Sequence, residues 1–250
     1  MEKTTDKNSY TILFAIVMVV VVGTILAYAA TGFKDKIDEN KRIEKKLNIL
    51  YAMGVNENEG SNMSFVSKNR VEQEFVKYIT KQLIIQGDSV TEDNNAYLLD
   101  LKKEHALAKD PSHQKRLPLL IGEKDGQTFY IAPIRGKGLW DAIWGYVAMD
   151  KEMVVLGVYF DHKGETPGLG ANINQRFFMD EFTGEHLFDK SNNFNGITVS
   201  KGNADPKNLD KTDNEVDAIA GATITGNGVT DMIKTDLKLY VPYFKTLKTN

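Results

Sequence analysis

The hydrophobic pattern begins with one long apolar run near the start of the chain. The run ILFAIVMVVVVGTILAYAA, residues 12–30, has no charge and a single strongly polar side chain, Thr24. A helix of this length would extend about 28 Å, which is close to the thickness of the hydrocarbon core of a bilayer. The sequence therefore predicts a transmembrane anchor over residues 12–30, after a short N-terminal segment over residues 1–11.

A cleaved signal peptide is the alternative interpretation of this run. Ala27, Tyr28 and Ala29 fit the small-x-small pattern of a cleavage site. The run is longer than the apolar region of about 7–15 residues that signal peptides usually contain. Its length favours an uncleaved anchor.

Basic residues on either side of the span do not fix its orientation. Lys3 and Lys7 precede the span, and six basic residues follow it between positions 34 and 46. A positive-inside count would keep the following domain in the cytoplasm, but large domains cross membranes largely regardless of such charges. Charge alone therefore leaves both orientations open.

Two amphipathic patterns follow the span and predict a helical region over residues 31–86. The first covers residues 33–54, where apolar positions recur near helical spacing: Ile37, Ile43, Leu47 and Leu50. Gly54 is placed to cap its C-terminus. The second is expected from about residue 68 to residue 85, with apolar residues on one side: Val71, Phe75, Tyr78, Ile79 and Leu83. We interpret both helices as scaffold.

Short apolar runs separated by turn residues replace this helical period in the middle of the chain. Five such runs predict strands: AYLLDL, RLPLLIG, QTFYIAPI, WGYVAMD and MVVLGVYFD. Lys124-Asp125-Gly126 and Met149-Asp150-Lys151 suit hairpin turns, so the sheet should be largely antiparallel. A last helix is expected from about Asn227 to Leu239, before Pro242 stops it. The predicted fold class is α+β, with a main domain over residues 87–250.

Composition narrows the chemistry that this domain can perform. The 250 residues carry a formal net charge of −3 without a basic stripe, so a nucleic-acid partner is not expected. The chain has no cysteine, which excludes thiol nucleophiles, cysteine-ligated zinc and iron–sulfur clusters. Any redox chemistry must therefore come from an organic cofactor.

The histidines give little support to a metal site or a hydrolase site. They lie at positions 105, 113, 162 and 186, without the spacing of a zinc site. His162 follows Asp161 and precedes Glu165, but no serine or cysteine lies in a recognisable nucleophile elbow. We therefore predict no catalytic residue and no metal ligand, and we expect the histidines at the surface or in loops.

Three glycine-rich stretches carry the strongest functional signal. They are PIRGKGLWDAIWGYV at residues 133–147, GETPGLGANI at 164–173 and DAIAGATITGNGV at 217–229. The first holds both tryptophans of the chain, and the glycines of the second allow a backbone to approach a flat or bulky group. Each stretch taken alone is equally consistent with a tight turn. Their presence together in one chain favours a common binding site.

The third stretch suggests an attachment point. Gly221 and Ala222 remove bulky side chains in front of Thr223, so a large planar group linked to its hydroxyl could lie close to the backbone. The start of the following helix would add amide donors for a phosphate. No activating base lies beside the threonine in the sequence, which fits a phosphate ester formed by a separate enzyme.

Together with the single N-terminal span, these stretches resemble the C subunit of the sodium-translocating NADH:quinone oxidoreductase. The resemblance rests on GATIT preceded by Asp217, on GETPGLGA and on PIRGKGLWDAIWGY, and it covers essentially the whole chain. In that family the threonine ending the Ser/Thr-Gly-Ala-Thr element carries FMN through a phosphoester bond that a dedicated flavin transferase forms. The resemblance implies this role for Thr223, with Thr225 as the local alternative. Ala220 departs from the pattern, which usually has Ser or Thr there.

The resemblance also implies a set of residues that bind the cofactor. Asp217, Gly221 and Ala222 complete the attachment motif. Two further segments are expected near the isoalloxazine ring: Glu165, Thr166 and Leu169, and Gly138, Leu139 and Trp140. Lys201 is expected as a cation near the reduced flavin, and a solvated loop lysine is the equally favoured alternative.

A relay function follows from this resemblance. The chain shows no nicotinamide-binding motif and no iron–sulfur ligands, so it would pass electrons one at a time through FMN, between an iron–sulfur centre and a second flavin on partner subunits. The expected partners are the A, B, D, E and F subunits of the six-subunit complex, the flavin transferase and the lipid bilayer. The protein would be single-pass in the bacterial inner membrane, with residues 1–11 cytoplasmic and the FMN-binding domain, residues 87–250, periplasmic.

Two alternatives stay open from the sequence. The G subunit of the electron-transporting Rnf complex shares the span and the flavin-linking threonine, but the long helical insert after the span and the PIRGKGLW stretch favour the quinone reductase. A membrane-anchored extracytoplasmic binding module without a covalent cofactor is the alternative from another class. In that case the glycine-rich loops would form turns around a small-molecule pocket.

Overall fold

The apolar run near the N-terminus forms a single long helix. The structure, a computed structural model, describes residues 8–60, 62–202, 205 and 208–249. Helix α1, Asn8–Gly32, contains the predicted span 12–30 and is, among the described residues, the one helix long and apolar enough to cross a membrane. Residues 1–7 of the predicted N-terminal segment, with Lys3 and Lys7, lie outside the described residues.

Helix α2, Lys34–Ala52, confirms the first amphipathic prediction. Gly54 lies two residues after the end of this helix, has a φ of 71° and donates its N–H to the Tyr51 carbonyl at 2.8 Å. Glycine adopts this left-handed conformation without steric cost, as the predicted cap requires. Leu47 and Leu50 are buried as expected, whereas Ile37 is exposed.

Two compact units divide the chain, Met1–Ile43 and Glu44–Asn250. The second unit contains the strands of the sheet and all three glycine-rich stretches. Residue 87, the predicted start of the main domain, is the glycine in the turn between the first two strands.

The second predicted helix, residues 68–85, is wrong over its C-terminal half. Helix α3 covers only Val71–Tyr78, and strand β1 follows directly as Ile79–Gln86. The spacing of Ile79 and Leu83 fits a helix as well as a strand, so the apolar pattern did not distinguish these conformations. Both residues are buried in the observed strand. The sequence ITKQLIIQ is rich in β-branched residues, and its antiparallel pairing with residues Leu117–Lys124 (strand β3) makes it a strand.

The sheet has six antiparallel strands, which confirms the predicted α+β class. The strands are β1, β2 (Ser89–Glu92), β3 (Leu117–Lys124), β4 (Gln127–Lys137), β5 (Ala142–Met149) and β6 (Val155–His162). Their spatial order is β2-β1-β3-β4-β5-β6. Every neighbouring pair except β1 and β3 consists of consecutive strands joined by a hairpin. Asp125 and Gly126 form the predicted turn with φ values of 53° and 79°, as a tight hairpin turn requires.

The run AYLLDL is not a strand, contrary to the prediction. It forms a short 3-10 turn at Ala96–Leu98 and the start of helix α4, Leu101–Leu107. The Asp100 side chain caps α4 by accepting a hydrogen bond from the Lys103 N–H at 3.2 Å. Asp100, the fifth of the six residues, thus begins a helix, and the run does not continue as a strand.

Helices cover both faces of the sheet. Cross-strand pairs place Gly122 and Gly157 on one face of the sheet. A Cβ on either glycine would collide with Met53 or with the Ala52 carbonyl, at the end of α2. Gly136 lies on the opposite face, against Met232 of helix α6, Thr223–Lys238. Buried strands therefore form the middle layer of the Glu44–Asn250 unit.

The remaining elements complete the face that carries α6. They are α5 (Arg176–Met179), the parallel pair β7 (Thr198–Val199) and β8 (Glu215–Val216), and α7 (Val241–Thr249). Helix α6 begins at Thr223, four residues before its predicted start at Asn227. Glycines at 226 and 228 lower the helical propensity there, but both are buried by close packing. A Cβ on Gly228 would overlap the Lys137 carbonyl oxygen on β4, and a Cβ on Gly226 would lie 3.0 Å from Val199 on β7. Pro242 lies in the first turn of α7, where the missing N–H has no helical partner to lose.

Candidate functional site

The fold brings the three glycine-rich stretches together at one end of the sheet. The first forms the β4–β5 hairpin with its turn at residues 138–141, and the second is the loop that leaves β6. The third leads into the N-terminus of α6. Contacts with Glu165 of the second stretch connect all three.

Glu165 accepts hydrogen bonds from two of these segments with both carboxylate oxygens. The N–H groups of Leu139 and Trp140 donate to Oε2 and Oε1 at 3.2 and 2.9 Å, and the Asp141 N–H lies 3.4 Å from Oε1. The Thr225 hydroxyl donates to Oε2 at 2.6 Å. The residue is 4% exposed, so this carboxylate joins the hairpin turn to α6 from inside the protein.

These hydrogen bonds keep the Glu165 carboxylate charged. Burial by itself would raise the pKa of Glu165, because it removes water from the charged form. The hydrogen bonds from the Thr225 hydroxyl and the backbone N–H groups outweigh burial, and the pKa is lowered below its usual value. The amides of the 138–141 turn thus face a permanent negative charge.

Two glycines allow the carboxylate to lie so close to the backbone. A Cβ on Gly138 would lie 2.6 Å from Glu165 Oε1, and a Cβ on Gly170 would lie 2.8 Å from Oε2. Both distances are shorter than any normal carbon–oxygen contact. Side chains at these positions would therefore displace Glu165.

Exposed apolar side chains surround this junction. Leu139 and Trp140 on the hairpin turn are 45% and 67% exposed, Leu169 on the loop is 41% exposed, and Ile224 on α6 is 56% exposed. The Trp140 indole N–H donates to the Thr166 hydroxyl at 3.1 Å, which ties the ring to the loop. Grouped apolar side chains that remain accessible mark binding surfaces. Ile224, between two threonines, is the member of this group that sequence reasoning missed.

The two candidate threonines occupy different environments. Thr223 is exposed as the first residue of α6, whereas Thr225 is 1% exposed with its hydroxyl held by Glu165. Residues two apart on a helix point to different sides. The accessible hydroxyl of the pair is therefore that of Thr223.

The N-terminus of α6 offers backbone donors beside this hydroxyl. Ala222 occupies the N-cap position and supplies no side-chain acceptor. The first intrahelical bond is from the Gly226 N–H to the Ala222 carbonyl, so the N–H groups of residues 223–225 have no carbonyl of the helix. Such donors and the positive end of the helix dipole favour an anionic group.

Gly221 shapes the entry to the helix. Its φ of 72° is in the left-handed region, and a Cβ there would lie 2.8 Å from Leu169 Cδ2. Glycine therefore allows both the turn before Thr223 and the approach of the 164–173 loop.

Asp217 and Lys201 lie apart from Glu165. Asp217 is buried beside β8, and its N–H donates to the Glu181 carboxylate at 2.9 Å. Lys201 is exposed in the turn after β7, which meets the third stretch through the Ala218 N–H to Gly202 carbonyl bond of 3.1 Å. Within the described part of the chain, neither side chain contacts Glu165 or Trp140.

Two of the four histidines contact buried acids. All four are half-buried, His105 lies 3.2 Å from Asp236, and His113 lies 3.0 Å from Glu104. Among the described residues, no group of three or more His, Cys, Asp or Glu side chains could hold a metal ion. The buried acids Asp236 and Glu104 were not visible as such in the sequence, because their cationic partners are distant along the chain or lack a regular spacing.

Comparisons with known proteins agree with this geometry. The FMN-binding domain family matches residues 138–238, which contain most of the site. The C subunit of the Na(+)-translocating NADH-quinone reductase from Vibrio anguillarum is 30% identical, over 92% of this chain and 90% of that protein. Its counterpart from Yersinia pestis is 31% identical, over 90% of this chain and 86% of that protein.

Solved structures show the same fold. The crystal structure of the C subunit of the Na(+)-translocating NADH-quinone reductase from Parabacteroides distasonis superposes with a TM-score of 0.70 at 30% identity, covering 84% of this chain and 96% of that one. NqrC from Shewanella oneidensis gives a TM-score of 0.65 at 27% identity, covering 85% and 100%.

Proposed function

This chain belongs to the family of C subunits of the Na+-translocating NADH-quinone reductases, and from this premise we propose that it relays electrons through FMN esterified to Thr223. As a member of that family it is part of an oxidoreductase complex. The FMN-binding domain match at residues 138–238 supports FMN as the cofactor. Beyond the cofactor, we propose the ester bond, its position on Thr223 and the transfer of electrons one at a time.

One observation carries the assignment to Thr223. Its hydroxyl is exposed at the first position of α6, whereas the hydroxyl of Thr225 is buried in a 2.6 Å hydrogen bond to Glu165. A flavin transferase has access to the first and not to the second. The new bond joins Thr223 Oγ to the phosphorus of FMN, while the P–O bond to the leaving group of the flavin donor breaks and that group takes up the threonine proton. Relative to free FMN, the protein therefore gains the mass of FMN less one water.

The residues around Thr223 fit a phosphate-linked planar ring. The N–H groups of residues 223–225 and the helix dipole suit the phosphate, and the missing side-chain cap at Ala222 leaves these donors available. The exposed side chains of Leu139, Trp140, Leu169 and Ile224 suit an apolar ring. FMN supplies the ability to accept and release electrons singly. The chain itself positions the ring, shields one part of it from water and sets the local charge.

The relay also implies partners. We propose that electrons pass between an iron–sulfur centre and a second flavin that belong to the other five members of the complex, the A, B, D, E and F subunits, while the complex moves sodium. Helix α1, with its charge-free span over residues 12–30, serves as anchor in the lipid bilayer. A span without acidic residues gives no ion path through this helix itself.

Intact-mass measurement tests the ester. The full chain, coexpressed with an active flavin transferase and then denatured, should gain the mass of FMN less one water, and peptide mapping should place it on the peptide with Thr223. A transferase inactivated by mutation is the matched control and should leave the mass unchanged. An unmodified mass with a transferase that is active on another substrate would contradict the proposal and favour a binding module without covalent cofactor.

Labelling in whole cells tests the proposed periplasmic side of the domain. The chain has no cysteine, so a single Lys151→Cys, on a side chain that is 65% exposed, reports the location of the domain. A membrane-impermeant maleimide should modify it in spheroplasts without detergent. Lys7→Cys, before the span, is the control and should react only after permeabilisation. The reverse pattern would place the domain in the cytoplasm.

A further inference from the structure

We infer that Glu165 is a positioning residue of the flavin site, which holds the Leu139–Trp140 turn against α6 from behind and does not itself contact the ring. This inference rests on the proposed attachment of FMN to Thr223. It differs from the sequence-based expectation, which placed the Glu165 side chain near the isoalloxazine ring.

The burial of the carboxylate argues against direct contact with the flavin. Glu165 is 4% exposed, whereas Leu139 and Trp140, whose N–H groups donate to it, are 45% and 67% exposed. The carboxylate thus meets the inner side of the turn while the side chains face outward. Gly138 and Gly170 lie so close to its two oxygens that neither position has room for a Cβ.

The hydrogen bonds that Glu165 accepts join two segments that are separate along the chain. They come from the β4–β5 turn on one side and from Thr225, 60 residues further along the chain, on the other. Hydrogen bonds to a charged acceptor are roughly twice as strong as neutral ones. Together with the packing of α6 on β4, the hydrogen bond between Glu165 and Thr225 therefore fixes the distance between Trp140 and the attachment residue Thr223.

The same link fixes the rotation of the first turn of α6. With the Thr225 hydroxyl held inward, Thr223 is turned outward, because side chains two positions apart on a helix differ by about 200°. Glu165 therefore also determines which of the two threonines is presented to the transferase.

Two variants weaken the link from opposite ends. Glu165→Gln removes the charge and replaces one of the two accepting oxygens by an NH2 group, which cannot accept a hydrogen bond from the N–H of Leu139 or Trp140. Thr225→Val removes the hydroxyl donor and keeps the charge, with nearly the same side-chain volume. Thr225→Ser retains the hydroxyl and is the conservative variant expected to restore the link.

Glu104→Gln is the matched control for buried-carboxylate stability. Glu104 is fully buried and accepts hydrogen bonds from Arg116 and His113. Glu104 neighbours His105, which contacts Asp236 on α6. Asp236 is thirteen residues after Thr223, so the helical rise separates these two residues by about 20 Å. Its loss should affect folding stability without reaching the flavin.

The readout is the motion and potential of the covalently bound flavin in the full-length holoprotein. Time-resolved anisotropy should show a roughly tenfold higher ratio of freely rotating to fixed flavin in both Glu165→Gln and Thr225→Val, the size expected for one lost hydrogen bond to a charged group. Thr225→Ser and Glu104→Gln should match the wild type. Urea midpoints, measured in parallel, report stability separately.

The outcomes distinguish the roles. If Glu165→Gln shifts the flavin midpoint potential while Thr225→Val leaves potential and anisotropy unchanged, Glu165 acts on the ring through its charge and the inference is wrong. If both variants lose stability like Glu104→Gln and keep wild-type anisotropy, the role is merely structural and the inference is also wrong. A wild type without covalent flavin would instead contradict the proposed function, before the variants are compared.

Discussion

Replacing Thr223 with valine should abolish covalent flavin incorporation completely, while the protein keeps its fold. The esterified oxygen is removed, and the remaining hydroxyl in this turn, on Thr225, is buried and donated to Glu165. Because Thr223 is exposed, its replacement by an isosteric side chain should change the free energy of unfolding by no more than about 0.5 kcal/mol. In-gel flavin fluorescence of the denatured protein and intact mass measure incorporation, and urea unfolding measures stability.

Two neighbouring variants make this test specific. Thr223→Ser keeps a hydroxyl at the same position and should retain flavin, although at a rate that depends on the transferase. Thr225→Val should retain the added mass on the Thr223 peptide. Covalent flavin that persists in Thr223→Val and disappears in Thr225→Val would move the attachment to Thr225 and require the first turn of α6 to open during modification.

The largest stability effect is expected at Asp236, which fixes α6 to the sheet. The carboxylate is 5% exposed and accepts hydrogen bonds from the Arg135 N–H and the Lys115 ammonium, each at 2.9 Å. Asp236→Ala removes the buried acceptor and leaves the half-buried Lys115 ammonium and the Arg135 N–H without it, which should cost about 3–5 kcal/mol of unfolding free energy. Urea unfolding of the full chain in detergent, followed by tryptophan fluorescence, measures this loss.

The matched control is a surface acid in a similar pair. Glu152 lies 3.8 Å from Lys151, and both side chains are at least half exposed. Solvent-exposed pairs of this kind contribute little, so Glu152→Ala should change the unfolding free energy by less than about 1 kcal/mol. Equal losses in the two variants would show that Asp236 does not anchor α6 as the contacts indicate.

The same residue should make stability depend on acid pH. Burial would raise the pKa of Asp236, but the contact with the His105 ring, the charge of Lys115 and the hydrogen bond from the Arg135 N–H outweigh burial, so its pKa is lowered from 3.8. The unfolded chain then binds the proton first as the pH falls. The stabilisation is therefore complete above pH 3.8 and is lost as the pH falls through the lower folded value. The difference in unfolding free energy between the wild type and Asp236→Ala should shrink over that range.

The elements that the sequence predicted correctly are those whose conformation is set by residues adjacent along the chain. The apolar run at 12–30 predicted α1, because length and hydropathy suffice to define a span. Asp125-Gly126 predicted a hairpin turn, since few residue pairs adopt positive φ at both positions. Gly54 predicted the end of α2 for the same reason.

Elements with ambiguous local patterns were decided by pairing. Residues 79–85 carry apolar positions that fit a helix or a strand, and the ladder with β3 makes them β1. The glycines at 226 and 228 lowered the helical propensity of the first turns of α6, yet close packing on β4 keeps those turns helical. Propensity is a weak determinant when long-range contacts bury the segment.

By itself, the sequence predicted the apolar span, the α+β class and the three glycine-rich stretches that meet at one end of the sheet. Only the tertiary structure decided that Thr223 is the accessible threonine, that Glu165 is buried behind the turn and that Asp236 fixes α6. Each of these depends on contacts between residues 24 or more positions apart, such as the hydrogen bonds that Glu165 accepts from the turn at residues 139–141 and from Thr225. Hydrogen-bond partners at such separations are set by how the chain folds, because residue spacing along the chain carries no information about them.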